Sequence, residues 1–300
     1  MRTPSHVLII GAGAIGSLMA GLLARSGIRV TLVTRDRAQA TLLQTRGITL
    51  SGLAQFQASV EACALEDLAT VQGVDLVLVA VKAPALDHLR PILENAQAPI
   101  IILQNGWGQL DGWPDDLRSR CSQALVYLSA IRREMGHIAW TGQGEIVVAP
   151  QAEILSNALN AAGLSSRVDS DIVTEAWCKL LVNSVVNPLT ALFAIPNGAL
   201  LKNTDLLAIA DDIVAEGIRV GLAMGLPLSL DLAIARYRRV CELTERNHSS
   251  MWQDIEHGKP TEIDFINGAI VREGLRYGIL TPVNQTMVRL IKFLEFTSVE

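Results

Sequence analysis

Short apolar runs separated by helix-like stretches dominate the first half of the chain. The uninterrupted runs, which predict strands buried on both faces, cover residues 7–10, 28–34, 76–81 and 99–103. A glycine-rich turn and a helical pattern over 17–25 lie between the first run and the second. Strands that alternate with helices in this way predict a parallel, doubly wound sheet. We therefore predict an α/β domain over residues 1–170, completed by short strands near 124–131 and 146–149.

Beyond about residue 170, the apolar positions recur with helical spacing instead. A long apolar helix is predicted over 172–195, with Pro188 as the point of any bend, and a second helix over 206–224. Further helix starts are predicted where the sequence has capping chemistry, namely at Ser229, Ser250, Thr261 and Thr281. The second domain, residues 171–300, is therefore expected to be all-helical. We expect it to pack closely against the first and leave a cleft, with 168–172 as the pivot.

The composition narrows the class of protein. Of 300 residues, 50% are hydrophobic and 18% are charged, so the chain can bury two cores and is not a disordered tail protein. The net charge is −5 and no block of lysines and arginines is present, which argues against a nucleic-acid partner. The four cysteines have neither zinc-site nor disulfide spacing. Without a signal-peptide pattern or a long apolar run, we expect a cytoplasmic protein with reduced thiols, no metal and no membrane partner.

A glycine motif lies between the first predicted strand and the first predicted helix. It is formed by Gly11, Ala12, Gly13, Ala14, Ile15 and Gly16. This spacing, within a strand-turn-helix-strand unit, is typical of Rossmann-type dinucleotide-binding domains. The first glycine permits a tight turn, the second lets a pyrophosphate approach the backbone at the helix N-terminus, and the third lets helix and strand pack closely. The motif therefore predicts a site for a nicotinamide dinucleotide.

The end of the second strand bears on which nucleotide binds. Arg35 could hold the 2′-phosphate of NADPH in a forked ion pair, whereas Asp36, if it faced the ribose, would favour NAD. We favour NADPH on this pattern. Lys82 and Asn105 follow the next two predicted strands, and ligands of open α/β sheets bind at the carboxyl ends of strands. Both side chains are therefore candidates for contact with the cofactor or the substrate.

Three polar residues stand out in the long apolar helix. Lys179, Asn183 and Asn187 are spaced four residues apart and therefore lie along one helix face. Because an unpaired ammonium group is costly to bury, this face is expected to line a polar cleft. The alternative is that the lysine reaches the surface near the start of the helix. In a cleft, the lysine could donate a proton to a carbonyl oxygen while the two carboxamides orient the substrate.

Four motifs of the helical half, at residues 175–191, 196–198, 247–254 and 261–268, resemble those of the ketopantoate reductase (2-dehydropantoate 2-reductase) family. The glycine motif, Lys82 and the Gln104-Asn105-Gly106 tripeptide match in the same order, so the resemblance spans nearly the whole chain. The helical motifs are far more specific than the glycine motif. His248 and Trp252 depart mildly from the usual pattern, and the match at 132–136 is looser.

The resemblance implies a role for each matching residue. Lys179 would be the proton donor to the 2-oxo group, with Glu262 beside both this lysine and the cofactor. The residues implied to bind the substrate's carboxylate and hydroxyl are Asn183, Asn187, Asn197, Asn247 and Ser250. Asn105 would lie where cofactor and substrate meet. Lys82 and the backbone near Ile131 would contact the nucleotide.

The implied reaction is the NADPH-dependent reduction of ketopantoate to pantoate, on the route to pantothenate and coenzyme A, by a monomer or homodimer. A 2-oxo acid that accepts a hydride develops an alkoxide, which a cationic donor such as Lys179 stabilises. One alternative is a reductase of a different 2-oxo acid, because function follows the site rather than the fold. Another is a non-catalytic NADPH-binding regulatory protein, against which the presence of both Lys179 and Glu262 argues.

Overall fold

The computed structural model describes residues 3–297 and divides into two compact units. The first unit contains the chain as far as Gln104 together with Leu110–Ile172. The second contains Asn105–Gln109 and the chain from Val173 onward. The short segment Asn105–Gln109 therefore belongs to the helical unit, although the sequence pattern places it within the first domain. One predicted site residue, Asn105, is thereby grouped with the predicted catalytic residues.

The first unit is built on two sheets. Its strands are β1 (His6–Ile10), β2 (Arg29–Thr34), β3 (Ile48–Gly52), β4 (Phe56–Ala58), β5 (Glu61–Ala64), β6 (Leu76–Val79), β7 (Ile100–Ile102), β8 (Cys121–Val126), β9 (Ser129–Glu134), β10 (His137–Gly142), β11 (Ile146–Val148) and β12 (Ser166–Val168). The larger sheet has the order β12-β11-β8-β7-β6-β1-β2-β5 and is parallel except at the β8–β11 pair. Its six strands from β5 to β8 have the strand order of a dinucleotide-binding domain, which confirms the predicted doubly wound fold.

Helices cover the larger sheet because its central strands are apolar on both faces. The α-helices of this unit are α1 (Ala14–Arg25), α2 (Arg37–Arg46), α3 (Arg90–Leu93), α4 (Asp115–Arg120) and α5 (Glu153–Ala161). In β1, Val7 and Ile9 pack into the core that contains α1, while Leu8 and Ile10 belong to the core on the opposite face. The side chains alternate because successive residues of a strand point to opposite faces.

The smaller sheet was not predicted from the sequence. Its order is β4-β3-β10-β9, and it packs beside α1. The β-rich stretch predicted near 124–131 contains parts of two strands, β8 and β9, which lie in different sheets. The four strands of the smaller sheet are short and rich in polar residues, so no long apolar run marks them in the sequence. Strand β9 carries Arg132 and Arg133, and both side chains are exposed.

The second unit is helical, as predicted. Its α-helices are α6 (Ile172–Phe193), α7 (Thr204–Ala223), α8 (Leu230–Leu243), α9 (Ser250–Glu256), α10 (Asn267–Tyr277) and α11 (Pro282–Thr297). Ser229 caps α8 as expected, through an acceptor contact with the backbone N–H of Leu232. The capping box predicted from Ser250 is displaced by one residue: α9 begins at Ser250, and its N-cap is Ser249, which accepts from the N–H of Trp252. This shift leaves the Ser250 hydroxyl outside the cap.

Helix α6 is the central helix of the second unit. By length and composition it is the one helix of residues 3–297 that could cross a membrane. Most of it is buried within the protein, and Trp177, Leu181 and Val185 belong to the core formed with α7, α8 and α10. Its apolar character is therefore that of a core helix, and Pro188 lies inside it.

Candidate active site

The glycine motif forms a tight loop between β1 and α1, within the first unit. Gly11 has φ +118°, and a Cβ there would lie 2.9 Å from backbone atoms of Ala80 and Val81. A Cβ on Gly16 would lie 2.1 Å from the carbonyl oxygen of Gly11. The protein's own packing therefore requires glycine at both positions: Gly11 for the turn, and Gly16 for the close approach of the helix to the loop.

Gly13 differs from the other two glycines of the motif. Its φ is −76°, which any residue adopts, and a Cβ there would meet only the Ala80 carbonyl oxygen, at 3.9 Å. The protein itself therefore leaves room for a side chain at this position. Gly13 is also the N-cap residue of α1, where backbone N–H groups attract an anion. The open space at a helix N-terminus fits a pyrophosphate that approaches the backbone closely.

Arg132 of β9 holds the glycine loop from the second sheet. Its guanidinium Nη1 donates to the carbonyl oxygen of Ala12 at 3.1 Å. The family resemblance implies a nucleotide contact at the neighbouring backbone of Ile131, not at the Arg132 side chain. The pairing of β9 with β10 and the packing of α1 on β9 bring the arginine to the loop, and no local signal marks either contact. Arg132 therefore adds a positive charge beside the predicted pyrophosphate position.

The structure separates the roles of the two charged residues that follow β2. The Asp36 carboxylate caps α2, accepting a hydrogen bond from the backbone N–H of Gln39 at 2.9 Å. The next residue, Arg37, is also engaged, because its guanidinium forms ion pairs with Glu66 and Asp67. Arg35 is exposed and forms no hydrogen bond or ion pair among the described residues. Arg35 is thus the cation at this strand end that can meet a phosphate.

Lys82 lies three residues after the end of β6 and is partly buried. The β6 strand is the direct neighbour of β1, so both the glycine motif and Lys82 follow adjacent strands at the point where the strand order reverses. The buried Gln104 side chain donates to the carbonyl oxygens of Val79 and Val81 and so fixes the backbone just before Lys82. Ile131 is partly buried within β9.

A separate cavity of about 710 Å³ lies on the other face of the larger sheet, and Leu8 and Ile10 are among the residues that line it. It arises because the connection from β5 to β6 contains only a short 3₁₀ helix, Leu65–Thr70, over that face. Its lining includes none of the residues predicted to bind the cofactor. Among residues 3–297, no cluster of histidine, cysteine or acidic side chains could hold a metal ion.

Lys179, Asn105 and Glu262 form one hydrogen-bonded chain within the second unit. Lys179 Nζ donates to Asn105 Oδ1 at 2.8 Å, and Asn105 Nδ2 donates to Glu262 Oε2 at 3.3 Å. All three side chains are partly buried. The carboxamide therefore orients the ammonium group on one side and the carboxylate on the other, which is the arrangement of an oriented proton donor.

The segment that carries Asn105 is fixed to the second unit by several contacts. Gly106 has φ +99°, and a Cβ there would lie 2.2 Å from the carbonyl oxygen of Phe265. The N–H of Trp107 donates to that same carbonyl oxygen at 2.8 Å, and Arg272 Nη2 donates to the carbonyl oxygen of Trp107 at 3.1 Å. The Trp107 ring packs edge-on against Trp177 of α6, with centroids 5.1 Å apart. These contacts place Asn105 beside Lys179.

Two opposing effects set the proton affinity of Lys179. Burial lowers the pKa of this lysine to about 8, because desolvation disfavours the charged ammonium. The carboxylates of Glu262 and Glu175 raise the same pKa, and the guanidinium of Arg236 lowers it. The group therefore remains largely protonated at neutral pH while its pKa lies close enough to neutrality for proton transfer.

Two of the three residues on the polar face of α6 are partly exposed. Lys179 and Asn183 are partly exposed, whereas the residues around them are mostly buried, and Asn187 is 7% exposed. The side chains of Asn183 and Asn187 form no hydrogen bonds among the described residues. The predicted single face is therefore present, and its two carboxamides are not engaged by other described residues.

The remaining predicted residues lie in segments that are hydrogen-bonded to one another and to α6. The N–H of Asn197 donates to the carbonyl oxygen of Asn247 at 2.9 Å, and the Asn197 side chain donates to Thr244 Oγ1. Thr190 of α6 donates to the hydroxyl of Ser249 at 2.7 Å. The side chains of Asn247 and Ser250 are exposed. Asn197 is 6% exposed, and its Oδ1 has no hydrogen-bond partner among the described residues.

Comparisons with known proteins agree over nearly the full length. The family model described as "Ketopantoate reductase PanE/ApbA" matches residues 7–153, and the model described as "Ketopantoate reductase PanE/ApbA C terminal" matches residues 171–295. A protein of Archaeoglobus fulgidus named 2-dehydropantoate 2-reductase is 33% identical, covering 97% of this chain and 98% of that one.

Solved structures show the same fold. The crystal structure of a PanE/ApbA family ketopantoate reductase from Ralstonia eutropha JMP134 is 32% identical, covers 98% of this chain and 100% of that chain, and has a TM-score of 0.86. A ternary structure of D-mandelate dehydrogenase with NADH and anilino(oxo)acetate covers 98% and 99% of the two chains with a TM-score of 0.88. At 23% identity, this second likeness concerns the fold alone. The matches to both halves and to full-length relatives show that the chain belongs to the ketopantoate reductase family.

Proposed function

We propose that this chain catalyses the NADPH-dependent reduction of 2-dehydropantoate (ketopantoate) to pantoate. The observation that carries the proposal is the hydrogen-bonded chain of Lys179, Asn105 and Glu262, which presents an oriented and largely protonated amine. This donor lies on the helix face that also carries the two unengaged carboxamides. Membership of the family, whose relatives are named 2-dehydropantoate 2-reductase, supports the choice of substrate.

The glycine loop, Lys82 and Arg35 would hold the cofactor. The N-terminus of α1 and Gly13 offer the place for the pyrophosphate, and Arg132 adds positive charge beside it. Arg35 would receive the 2′-phosphate, because Asp36 and Arg37 are engaged elsewhere. This assignment favours NADPH over NADH. When bound, the cofactor supplies the hydride.

The residues of the second unit would supply the proton and the orientation of the substrate. As the carbonyl carbon accepts a hydride, its oxygen develops negative charge, and Lys179 Nζ donates a proton to that oxygen. Asn105 keeps the ammonium group directed and Glu262 favours its protonated form. The proposed ligands of the substrate's carboxylate and hydroxyl are Asn183, Asn187, Asn247 and Ser250, with Asn197 supporting their loop.

A substrate panel with the purified protein tests the proposal. We expect steady oxidation of NADPH with ketopantoate, a much higher kcat/KM than with other 2-oxo acids, and a preference for NADPH over NADH. Lys179→Ala should lower kcat by roughly 10²–10⁴-fold, the usual contribution of general acid catalysis, while cofactor binding persists. Turnover with a different 2-oxo acid, and not with ketopantoate, would support the proposed mechanism but show that the proposed substrate is wrong. No turnover with any member of the panel, or near wild-type kcat in the variant, would refute the proposal.

A further inference from the structure

The ion pair between Glu175 and Arg236 influences Lys179 without donating or accepting the proton described above. Glu175 precedes Lys179 by one helical turn on α6 and therefore lies on the same face. Arg236 of α8 binds this carboxylate with both guanidinium nitrogens; Nη1 lies 3.0 Å from Glu175 Oε2, and Nη2 contacts Oε1. The Glu175 side chain is 17% exposed and the Arg236 side chain 34% exposed, so water screens the pair only in part.

The charges that act on Lys179 come from three elements. Glu262 lies in the segment before α10 and reaches the lysine through Asn105, Glu175 lies on α6 itself, and Arg236 comes from α8. The two carboxylates favour the ammonium form and the guanidinium opposes it. Lys179 is thus surrounded by two negative charges and one positive charge within the second unit.

We propose that Glu175 and Arg236 form a positioning pair, which adjusts the charge around Lys179. A glutamate four residues before a lysine is its neighbour on the helix surface. The bidentate fork of Arg236 holds the carboxylate of this neighbour and places a positive charge beside it. This inference rests on the proposed function, since it concerns the protonated Lys179 as the acid.

Single and double neutral variants test the pair. The readout is the pH at which kcat for ketopantoate reduction falls on the alkaline side, because only protonated Lys179 can act as acid. Glu175→Gln leaves a lone cation near the lysine, so the fall should move to lower pH by about one pH unit. Arg236→Gln leaves a lone carboxylate, so the fall should move to higher pH. The double variant should return close to wild type, since both charges are removed.

A merely structural role of the pair would lower kcat or stability. It would not move the alkaline fall in kcat in opposite directions in the two single variants and restore it in the double variant. Arg239→Gln on the same helix is the matched control, because Arg239 pairs with Glu242 at the surface, and its profile should not move. Arg236→Lys keeps the charge and should retain the wild-type position of the fall, which tests the idea even if Arg236→Gln does not fold.

Two patterns of result separate this inference from the proposed function. If wild type reduces ketopantoate, Lys179→Ala abolishes turnover, and the single variants shift in the same direction or not at all, the positioning pair is refuted and the function stands. If wild type shows no reductase activity that depends on Lys179, the proposed function itself fails, and the pair loses its role with it.

Discussion

Replacing Asn105 by alanine should slow reduction far more than it weakens cofactor binding. The Asn105 carboxamide accepts a hydrogen bond from Lys179 Nζ at 2.8 Å and donates one to Glu262 at 3.3 Å. A hydrogen bond to a charged group is worth about 1.5–3 kcal/mol, and the longer contact to Glu262 adds less. If this orientation is needed only as the proton moves, Asn105→Ala should lower kcat by roughly tenfold to a hundredfold.

A second substitution at Asn105 separates the loss of its hydrogen bonds from a change in the charge around Lys179. Asn105→Asp keeps an oxygen acceptor for Lys179 but places a second carboxylate against Glu262. The extra negative charge should raise the pKa of Lys179, so the alkaline fall in kcat should move to higher pH. Asn105→Ala removes an acceptor that favours the ammonium form, so in that variant the fall should move to lower pH.

The assay combines steady-state kinetics with a binding measurement. We would determine kcat and KM for ketopantoate with saturating NADPH, and the Kd of NADPH by quenching of tryptophan fluorescence. Asn95→Ala is the matched control, because this side chain lies in the first unit and donates to the carbonyl oxygen of Pro91. A kcat for Asn105→Ala within about threefold of wild type, with both profiles unmoved, would show that the carboxamide does not orient the acid.

Three further predictions concern the cofactor loop and the segment that carries Asn105. Arg35→Ala should raise KM for NADPH by roughly tenfold to 150-fold and leave KM for NADH nearly unchanged, and equal effects would remove Arg35 from the 2′-phosphate. Arg132→Gln should weaken cofactor binding in a calorimetric titration. Arg133→Gln should not, because within the part of the chain that the structure describes this side chain forms no hydrogen bond with the glycine loop; equal losses would point to net charge alone. Gly106→Ala should lower both the melting temperature and kcat, with a loss of about 1–3 kcal/mol in the free energy of unfolding. Gly278→Ala is the control, because Gly278 also has positive φ but faces open space. This variant should lower only the melting temperature, and only slightly.

The sequence predicts the first part of the cofactor site because that part is local. A strand, three glycines and a helix follow one another between His6 and Arg25, and the role expected of each glycine follows from backbone geometry. The same locality defines the Lys179 face of α6, since residues four apart share a helix side. Neither inference needs knowledge of a distant neighbour. Both features are therefore present in the structure as the spacing predicts.

Contacts between distant segments explain what the sequence left out. Arg132 contacts the glycine loop at Ala12, 120 residues earlier in the chain. The strand pairings of the smaller sheet support Arg132, and its short polar strands carry no periodic signal. The grouping of Asn105 with the helical unit depends on the space that Gly106 leaves for Phe265. At the α9 cap, the residue that caps the helix, Ser249, also accepts a hydrogen bond from the distant Thr190 of α6.

The charge around the candidate acid shows why residue identity alone is not enough to define this site. Lys179, Glu262 and Asn105 can be recognised from their motifs, but the motifs do not say that burial brings the pKa of the lysine down to about 8. That value results from opposed contributions, in which desolvation and Arg236 lower the pKa while Glu262 and Glu175 raise it. A relative with the same three residues but a different partner at Glu175 should therefore have a different alkaline limit. The site is best described as a set of balanced charges on α6, α8 and the segment before α10, of which the motif residues are one part.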